Sequence, residues 1–351
     1  MRSVDEDRRD PVREISSRGI AVALSVVGLA AYYVLYGPNT FDGEEKKIFV
    51  VSKGQSYAQI MDSLEAHGII RSRWMYELTV RVLKRGKEVH VGRYEFASGI
   101  ANADIYNSLR LGRNMVPITV TLHEGKRANA YARLLARAVG IDSTRFMELV
   151  RSEEVARSLG VEAPSLEGYL FPDTYFFNWQ TDEEEIVKRL VQRMMKVFND
   201  SLRARATELN MSVHQVLTLA SIIEGEAFFD DERAIIAGVY HNRLRKGMKL
   251  EADPTIQYII PDGPRRILHS DLRIDHPYNT YRYYGLPPGP ICNPRLASIV
   301  AALYPARHNY YFFVADGNGG HWFATTYAQH LVNVRKFRRE RAAQLRQQSV
   351  S

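Results

Sequence analysis

The chain has 351 residues, 45% of them hydrophobic and 25% charged, so it is long enough for two or three globular domains. Its net charge of +7 comes from 47 basic and 40 acidic residues, an excess that suits nucleic acid, anionic lipid or an acidic polymer. Without zinc-finger spacing or a Gly-rich phosphate loop, the sequence does not predict a nucleic-acid partner. The single cysteine, Cys292, excludes an internal disulfide, and the ten histidines are scattered without ligand spacing. We therefore predict neither a metal site nor any other cofactor.

The N-terminal region combines a charged segment with an apolar one. Residues 1–18 are rich in both Arg and acidic residues and have no hydrophobic periodicity, which predicts a disordered tail. Residues 19–36 contain no charge, and 18 apolar residues are just enough to span a bilayer. The tyrosines of this segment suit an interfacial aromatic belt. The alternatives are a buried core helix and a cleaved signal peptide, and the second is disfavoured because no small-residue cleavage site follows.

The charges beside residues 19–36 predict the orientation of this transmembrane helix. Arg8, Arg9, Arg13 and Arg18 flank its N-terminal side, which favours an N-terminus in the cytoplasm, although Lys46 and Lys47 reduce the asymmetry. We therefore predict a single-pass protein of the cytoplasmic (inner) membrane, with residues 1–18 as a cytoplasmic tail and residues 37–46 as a juxtamembrane linker. The rest of the chain is expected to be periplasmic or otherwise extracytoplasmic.

Residues 47–115 are predicted to form a small α+β unit. Periodicity and turn residues predict the order strand, helix, helix, strand, helix. These elements are Ile48–Val51, Tyr57–His67, Trp74–Leu83, Gly92–Phe96 and Asn102–Leu111. The pattern resembles a LysM-like βααβ module, a type of unit that holds N-acetylated glycans, and a generic α+β spacer is the alternative.

Residues 116–351 are predicted to form a larger α+β domain. The segment Leu166–Tyr175 is dense in aromatic residues, and Pro172 prevents it from being a regular helix. Such a segment either fills a core or lines a carbohydrate cleft. The other predicted elements are a strand at Ile118–Leu122, helices at Ala128–Val139, Ser143–Arg151, Asp182–Leu209 and Asp231–Lys246, strands at Tyr310–Val314 and from Trp322, a helix beginning at Asn293-Pro294, and a solvated helix over Lys336–Arg346.

One predicted helix, Val213–Ile223, is apolar almost throughout and follows the capping-box pattern Ser212-x-x-Gln215. A helix that is apolar on nearly every side lies in a core, yet this one is followed by Glu224 and Glu226. Burial of a carboxylate raises its pKa, which is how a protein makes a general acid that works near neutral pH. The alternative is a helix end at which both carboxylates emerge into water.

Helical phase distinguishes the two glutamates. Glu226 extends the apolar stripe of Leu219 and Ile222, whereas Glu224 lies about 200° away from it around the helix. The two carboxylates cannot act as one facing pair, and phase favours Glu226 as the buried acid.

Eight sequence blocks in this order resemble the MltG (YceG-like) family of endolytic murein transglycosylases, over nearly the whole chain after the membrane segment. The resemblance implies a membrane anchor, a LysM-like subdomain and an α+β catalytic domain. It also implies cleavage within peptidoglycan glycan strands, which would terminate the elongation of nascent strands, and it implies peptidoglycan polymerases as candidate partners. The blocks are Leu166–Tyr175, Ala220–Glu226, Glu232-Arg233, Asn242–Leu250, Asp253–Thr255, Tyr278–Tyr281, Gly285–Gly289 and Val314–His321.

The resemblance also selects a catalytic residue. The second Glu of the family's Glu-Lys-Glu-Thr motif falls on Glu226, while Gly225 replaces the Lys and Ala227 replaces the Thr. Glycine weakens a helix by about 1 kcal/mol, so the helix is expected to end close to the catalytic residue. Loss of the Lys removes a cation, which should leave the acid more protonated.

The resemblance implies that Glu226 acts alone, first as acid and then as base. It would protonate the oxygen that links N-acetylmuramic acid (MurNAc) to N-acetylglucosamine (GlcNAc), and the MurNAc 6-hydroxyl would then close a 1,6-anhydro ring. No water enters, so the second carboxylate of an ordinary glycosidase is unnecessary. Glu224 is the second choice for the acid or holds a loop. The candidates for binding sugar groups are Glu224, Asn242, Asp253, Tyr258, Asn279 and Tyr281.

Three alternatives remain open in the sequence. Asp253 and Pro254 make a good N-cap and N1 pair, so the role of Asp253 could be purely structural. The enzyme could be a muramidase in which Asp253 or Asp173 orients a water molecule. The chain could also be a non-catalytic peptidoglycan-binding scaffold that relies on the LysM-like unit.

Overall fold

A computed structural model describes the backbone of residues 11–348 except 85, 87 and 262, and the side chains of residues 19–343 with the same exceptions. The fold mixes helices and sheets in two compact units. Unit 1 contains the chain up to Ile118 together with Phe177–Gln180, and unit 2 contains Thr119–Phe176 and the chain from Thr181 onward.

Unit 1 begins with a long apolar helix. The stretch Gly19–Tyr36 is long and apolar enough to span a membrane, with a mean hydropathy of 1.9. Of the predicted disordered tail, residues 1–10 lie outside the described residues, and the prediction is wrong for residues 11–18, which are helical. The elements of unit 1 are α1 (Pro11–Tyr36), β1 (Pro38–Asn39), β2 (Lys46–Val51), α2 (Tyr57–Ala66), α3 (Arg73–Leu83), β3 (Gly92–Ala97), β4 (Ile100–Ala101) and α4 (Asn102–Leu111).

The predicted strand–helix–helix–strand–helix order of unit 1 is confirmed. Strands β2 and β3 pair antiparallel from Lys46 opposite Ala97 to Val51 opposite Gly92. Ser56 and Gln59 form a capping box at the start of α2. The strands and helices share one apolar core, and its buried side chains include Phe49, Leu64, Ile69, Tyr94, Phe96 and Ile105. The likeness to LysM remains a prediction.

Unit 2 contains ten of the described helices and two two-stranded sheets that pair β5 with β6 and β7 with β8. The strands are β5 (Ile118–Thr121), β6 (Thr174–Phe177), β7 (Phe312–Ala315) and β8 (His321–Ala324). The helices are α5 (Ala128–Val139), α6 (Ser143–Arg151), α7 (Glu153–Ser158), α8 (Glu183–Val197), α9 (Asp200–Glu208), α10 (Val213–Glu226), α11 (Arg233–Arg245), α12 (Asp253–Ile259), α13 (Leu296–Leu303) and α14 (Tyr327–Gln348).

Two predicted helices of unit 2 need correction. The single helix expected over Asp182–Leu209 is two helices, because the Asn199 side chain accepts a hydrogen bond from the backbone N–H of Leu202 and starts α9. The helix expected from Asn293 begins at Leu296 instead. The Asn293 side chain accepts the N–H groups of Gly168 and Leu170, so it holds the aromatic block and does not cap a helix.

Helix α10 lies in the core of unit 2, as its apolar sequence predicts. Ser212 and Gln215 form the predicted capping box, and the helix is buried from Val216 to Ile223. It contacts α9, α11, α12 and α13. Because a helix surrounded in this way cannot rotate, the side chains at its C-terminal end have fixed directions.

Candidate active site

The carboxyl group of Glu226 lies at the C-terminal end of α10 and is half-buried. The hydroxyl of Tyr240, a buried residue of α11, donates a hydrogen bond of 2.9 Å to Glu226 Oε1. Burial is the main cause that raises the pKa of Glu226 to about 8, and the negative charge of Asp253 adds to it. The Tyr240 hydrogen bond and the Arg243 charge act in the opposite direction. Glu226 is therefore a neutral carboxylic acid at neutral pH, able to give up a proton.

Asp253 brings a second carboxylate to Glu226. The expectation that Asp253 caps α12 is wrong: Ala252 occupies the N-cap position and Asp253 is the first helical residue. The side chain of Asp253 is free to accept a hydrogen bond of 2.5 Å from the hydroxyl of Tyr281. Sequence reasoning placed Asp253 and Tyr281 in the site, and the structure brings them together beside Glu226.

Two cavities meet at the Glu226–Asp253 pair, since both residues line both cavities. Cavity A has a volume of about 490 Å³ and cavity B of about 390 Å³. Binding sites for small ligands usually measure about 300–1,000 Å³. The two carboxylates thus stand between two compartments that are each large enough for part of a ligand. The remaining lining of cavity A includes Gly125, Lys126, Arg127, Arg133, Gly225, Pro254, Gln257, Ile291 and Cys292.

Cavity B has a polar wall built from α11 and the β7–β8 hairpin. Arg243 lines it while its guanidinium donates to the backbone carbonyls of Lys249, Leu250 and Tyr311 at 2.6–3.0 Å. His321 also lines it, and its Nδ1 lies 2.7 Å from the carboxylate of Glu232. His321 is the first residue of β8, directly after the turn between β7 and β8. These contacts fix the wall before any ligand arrives.

Glu224 does not share the environment of Glu226. Its carboxylate accepts hydrogen bonds from the backbone N–H and Nε of Arg295, both at 3.0 Å, and from the hydroxyl of Ser298 at 2.8 Å. Its side chain is only 3% exposed, and the buried guanidinium of Arg233 lies 3.8 Å away. Glu224 therefore ties α10 to the start of α13. The alternative in which both glutamates emerge into water is wrong.

Comparisons of the sequence and the fold with known proteins agree on one family. The YceG-like family model matches residues 49–336. The chain belongs to the YceG-like family. It is 32% identical over 318 residues to an endolytic murein transglycosylase of Bacillus subtilis, covering 84% of this chain and 87% of that protein. It is 26% identical to an endolytic murein transglycosylase of Streptococcus pneumoniae, with 89% of this chain and 62% of that protein covered.

A solved structure supports the same family at the level of the fold. The crystal structure of a YceG-like protein of Listeria monocytogenes superposes with a TM-score of 0.58 at 29% identity. The match covers 82% of this chain and 98% of that one. Among the described residues of this YceG-like chain, no group of three or more His, Cys, Asp or Glu side chains is placed to hold a metal ion.

The structure gives a reason for Gly225, which replaces the Lys of the family motif. A Cβ atom at Gly225 would lie 2.7 Å and 2.8 Å from Cβ and Cγ of Pro254. Real Cβ atoms almost never approach another atom so closely, and the proline ring is stiff. The absence of a side chain at residue 225 therefore allows the end of α10 to touch the start of α12. That contact lies between Glu226 and Asp253 in the lining of cavity A.

Four of the predicted sugar-binding residues have other contacts: Glu224, as described above, and Asn242, Asn279 and Tyr258. Asn242 donates through Nδ2 to the carbonyls of His308 and Tyr310, both at 2.9 Å. Asn279 is fully buried and donates to the carbonyls of Leu272 and Ile274. The amide groups of both residues hold loops in place, so we correct their expected role of direct sugar binding to a structural one.

Tyr258 is likewise outside the lining of both cavities. Its ring lies 4.8 Å from that of Tyr278, and the guanidinium of Arg127 lies 4.6 Å from its centroid. Because Arg127 lines cavity A, Tyr258 stands behind the cavity wall rather than in it. We therefore replace its predicted contact with sugar by a packing contact with the guanidinium of Arg127.

A second buried carboxylate, Glu167, supports the opposite wall of the site. It accepts hydrogen bonds from the N–H of Ala128, at the start of α5, and from Nδ2 of Asn293. Burial raises the pKa of Glu167 to about 7. Asp173, a candidate for orienting water, instead pairs with Arg193 at 2.7 Å and is absent from the described lining of both cavities.

Sequence reasoning missed the hydroxyl that contacts the candidate acid and the aromatic pair beside it. Tyr240 is a buried residue of α11, and a tyrosine in an apolar helix gives no local sign of its partner. Phe228 and Phe229 follow Glu226 after Ala227 and are 77% and 43% exposed, with their rings edge to face at 5.1 Å. Two adjacent exposed aromatics next to a motif glutamate were the available signal.

Proposed function

We propose that this chain is an endolytic lytic transglycosylase that cleaves the β-1,4 bond between MurNAc and GlcNAc within peptidoglycan strands and leaves 1,6-anhydro-MurNAc ends. The observation that carries the proposal is the position of a protonated Glu226 between cavities A and B. The names of its relatives supply the substrate: they are endolytic murein transglycosylases.

Glu226 is the proposed acid and base. Its Oε1 accepts the Tyr240 hydroxyl, so the transferable proton belongs on Oε2. In the first step Oε2 gives this proton to the bridging oxygen as the glycosidic bond breaks, and the GlcNAc 4-hydroxyl leaves. In the second step the Glu226 carboxylate takes the proton of the MurNAc 6-hydroxyl while that oxygen bonds to the anomeric carbon. The proton balance closes on one residue without water.

The paired cavities support cleavage within strands rather than at their ends. An enzyme that cuts inside a polymer must hold sugars on both sides of the bond, and Glu226 has open space on both sides. The basic side chains of cavity A, Lys126, Arg127 and Arg133, suit the carboxylates carried by the peptide-bearing MurNAc. We therefore assign MurNAc to cavity A and GlcNAc to cavity B.

Asp253 and Tyr281 form the proposed sugar-binding pair opposite Glu226. Their hydrogen bond leaves the second carboxylate oxygen of Asp253 for a sugar hydroxyl. The exposed ring of Phe228 offers an apolar platform of the kind on which a sugar ring can pack. These residues would orient the strand so that the scissile oxygen lies at Glu226.

The cellular setting is part of the same proposal. Helix α1 would span the cytoplasmic membrane with the N-terminus in the cytoplasm, because arginines precede the apolar stretch. The catalytic unit would then face the peptidoglycan, beside the polymerases as partners, where cleavage terminates nascent strands. Unit 1 would act as a LysM-like glycan holder.

Digestion of isolated peptidoglycan by the full-length chain in detergent tests the proposal. Wild type should release fragments whose MurNAc ends are lighter by one water than hydrolytic products, as measured by mass spectrometry. Glu226→Gln should lower the rate by about 10²–10⁴-fold, the usual contribution of a general acid. Unchanged cleavage by this variant would remove the assignment of Glu226 as the acid, and absence of cleavage by wild type would leave the non-catalytic scaffold as the better interpretation.

The position of Asp253 beside Glu226 supports a second candidate function, that of a muramidase. Two carboxylates that flank a bond are the arrangement of an ordinary glycosidase, with one acid and one base that activates water. Asp253 lines the cleft with Glu226, unlike Asp173. Reducing ends that carry an added water would establish the muramidase and reject the transglycosylase.

A further inference from the structure

Helix α3 of unit 1 exposes an apolar stripe that no described residue covers. Trp74, Leu78 and Val82 are 64%, 39% and 53% exposed. They are spaced four residues apart and therefore lie within about 80° of one another on the helix. The opposite side of α3 is buried in the core through Tyr76 and Val80. The stripe, defined as Trp74, Leu78 and Val82, is a second apolar surface on a helix whose other apolar face is already packed in the core.

The last turn of the apolar helix α1 is fixed beside this stripe. The carbonyl of Val34 accepts hydrogen bonds from the hydroxyl of Thr79 at 3.1 Å and from Nδ2 of Asn102 at 2.9 Å. Val34 itself is buried, at 9% exposure. On α3, Thr79 lies about 60° from Val82, which is the near edge of the stripe. The stripe is thus continuous with the side of α3 that holds the end of α1.

The surroundings of this junction have the composition of a membrane interface. Tyr32, Tyr33 and Tyr36 of α1 are exposed, and the guanidinium of Arg71 donates to the Tyr33 hydroxyl at 3.0 Å. Tryptophan and tyrosine concentrate at the level of lipid headgroups. Basic side chains there attract anionic lipid, at about 1 kcal/mol each. Arg81, an exposed residue of α3, would extend the basic rim of the stripe.

We propose that the Trp74–Leu78–Val82 stripe is a membrane-docking surface that lies in the interfacial layer of the same bilayer that α1 spans. The occupant is lipid, because the stripe begins where the apolar helix ends and the contacts of Val34 hold the two together. An interfacial helix buries its apolar face by about 5–10 Å. Unit 1 would then rest on the membrane at a fixed orientation instead of moving freely on its anchor. This inference rests on the proposed membrane span of α1.

Depth-dependent quenching of tryptophan fluorescence tests the docking. The probe is the full-length chain with Trp179→Phe and Trp322→Phe, which leaves Trp74, reconstituted in vesicles of phosphatidylethanolamine and phosphatidylglycerol. Lipids brominated near the headgroup should quench Trp74 strongly, and lipids brominated near the chain end should quench it less. Quenching by aqueous iodide equal to that of the detergent-free unfolded chain, with none by brominated lipid, would overturn the proposal.

Substitutions separate docking from anchoring. Leu78→Asp with Val82→Asp should restore iodide access to Trp74 while the chain still floats with the vesicles. The control is Leu134→Asp, at a leucine of similar exposure in unit 2 (37% against 39%), and it should leave Trp74 quenching unchanged. Loss of flotation by the unaltered probe would instead reject the α1 span. Disulfide-linked dimers of Leu78→Cys in vesicles would show that a second copy covers the stripe, and would reject lipid as its occupant.

Discussion

The hydroxyl of Tyr240 donates to Oε1 of Glu226 across the contact between α11 and α10, at 2.9 Å. The bond orients the carboxyl group and favours its ionised form, while burial and Asp253 favour the neutral form. The balance leaves the pKa of Glu226 at about 8. A residue that must give a proton and then take one back needs such a pKa near the working pH.

Replacement of Tyr240 by Phe should lower the rate and move the alkaline limb of the pH profile to higher pH. Loss of a donor to the carboxylate raises the pKa of Glu226 further, because the ionised form loses its partner. A hydrogen bond to a charged group contributes about 1.5–3 kcal/mol, so we expect a loss of roughly ten- to a hundred-fold in kcat/KM. The measurement is kcat/KM on isolated peptidoglycan from about pH 5 to about pH 10, a range that spans the pKa of about 8 of Glu226.

A matched tyrosine provides the control for this experiment. Tyr304 ends α13 and is 47% exposed, outside the described lining of both cavities. Tyr304→Phe should leave the pH profile where it is. A shift of the Tyr240→Phe profile to lower pH would contradict the assigned role.

Glu226→Gln should stabilise the fold, and the gain should grow as pH rises. The folded-state pKa of about 8 exceeds the ordinary value of 4.5, so the native state holds a proton that the unfolded state has lost between these values. Wild type therefore loses stability as pH rises from about 4.5 to about 8, whereas the glutamine does not titrate. Removal of such a strained functional group commonly stabilises by about 1–2 kcal/mol. Thermal unfolding of both chains across this pH range measures the difference.

A stability difference between Glu226→Gln and wild type that does not grow with pH would show that Glu226 is ionised in the folded state at neutral pH. In that case the gap between the variant and wild type would be absent or would narrow toward pH 8. Because Glu167 is present in both chains, its own titration cancels in the comparison.

Local patterns predicted the helices well where the signals were local. The capping box at Ser212 and the nearly continuous apolar run predicted α10 and its burial, and helical phase separated Glu226 from Glu224. The break at Asn199 was missed because an N-cap inside a long apolar pattern looks like an ordinary polar residue. The start and end of a helix depend on residues close to one another in sequence. Predictions from local patterns therefore place helix ends to within a few residues.

Contacts between distant segments could not be predicted in the same way. The residues next to Asn242 and Asn279 in sequence give no sign that the two amides bind loop carbonyls. The residues next to Tyr240 likewise give no sign that its hydroxyl binds Glu226. Such partners are brought together by packing across tens of residues. The family motif selected Glu226 as the candidate acid, whereas proximity to motif blocks was a poor guide to which side chains line the cavities.

Glu224→Gln should affect stability first and catalysis second, in contrast to Glu226→Gln. Its carboxylate is 3% exposed and meets Arg233, Arg295 and Ser298. Loss of one partner of a buried ion pair costs about 3–5 kcal/mol, since the remaining charges stay buried. Thermal unfolding should show a clear fall in Tm, while the fraction that remains folded still produces the same ends. A stable but inactive Glu224→Gln would instead favour Glu224 as the acid.

Gly225→Ala should destabilise the end of α10 and lower activity, although alanine is the better helix former. The gain in helix propensity is about 1 kcal/mol, whereas overpacking against Pro254 costs about 1–3 kcal/mol. The double variant Gly225→Ala, Pro254→Gly removes both the Cβ and the Cγ atom that clash and should recover much of both losses. A double-mutant cycle of Tm and kcat/KM measures this coupling. Additive effects of the two substitutions on Tm and kcat/KM would show that there is no steric contact between residues 225 and 254.

Asp253→Asn decides between the two enzyme functions and tests the electrostatics at once. Loss of the negative charge that raises the pKa of Glu226 should move the alkaline limb of the pH profile to lower pH. A transglycosylase needs no second carboxylate, so the variant should keep measurable activity and the same anhydro ends. A muramidase that relied on Asp253 to activate water should lose about 10²–10⁴-fold in rate. Mass analysis of the ends, together with the pH profile, separates these outcomes because only the transglycosylase keeps its product while its titration shifts.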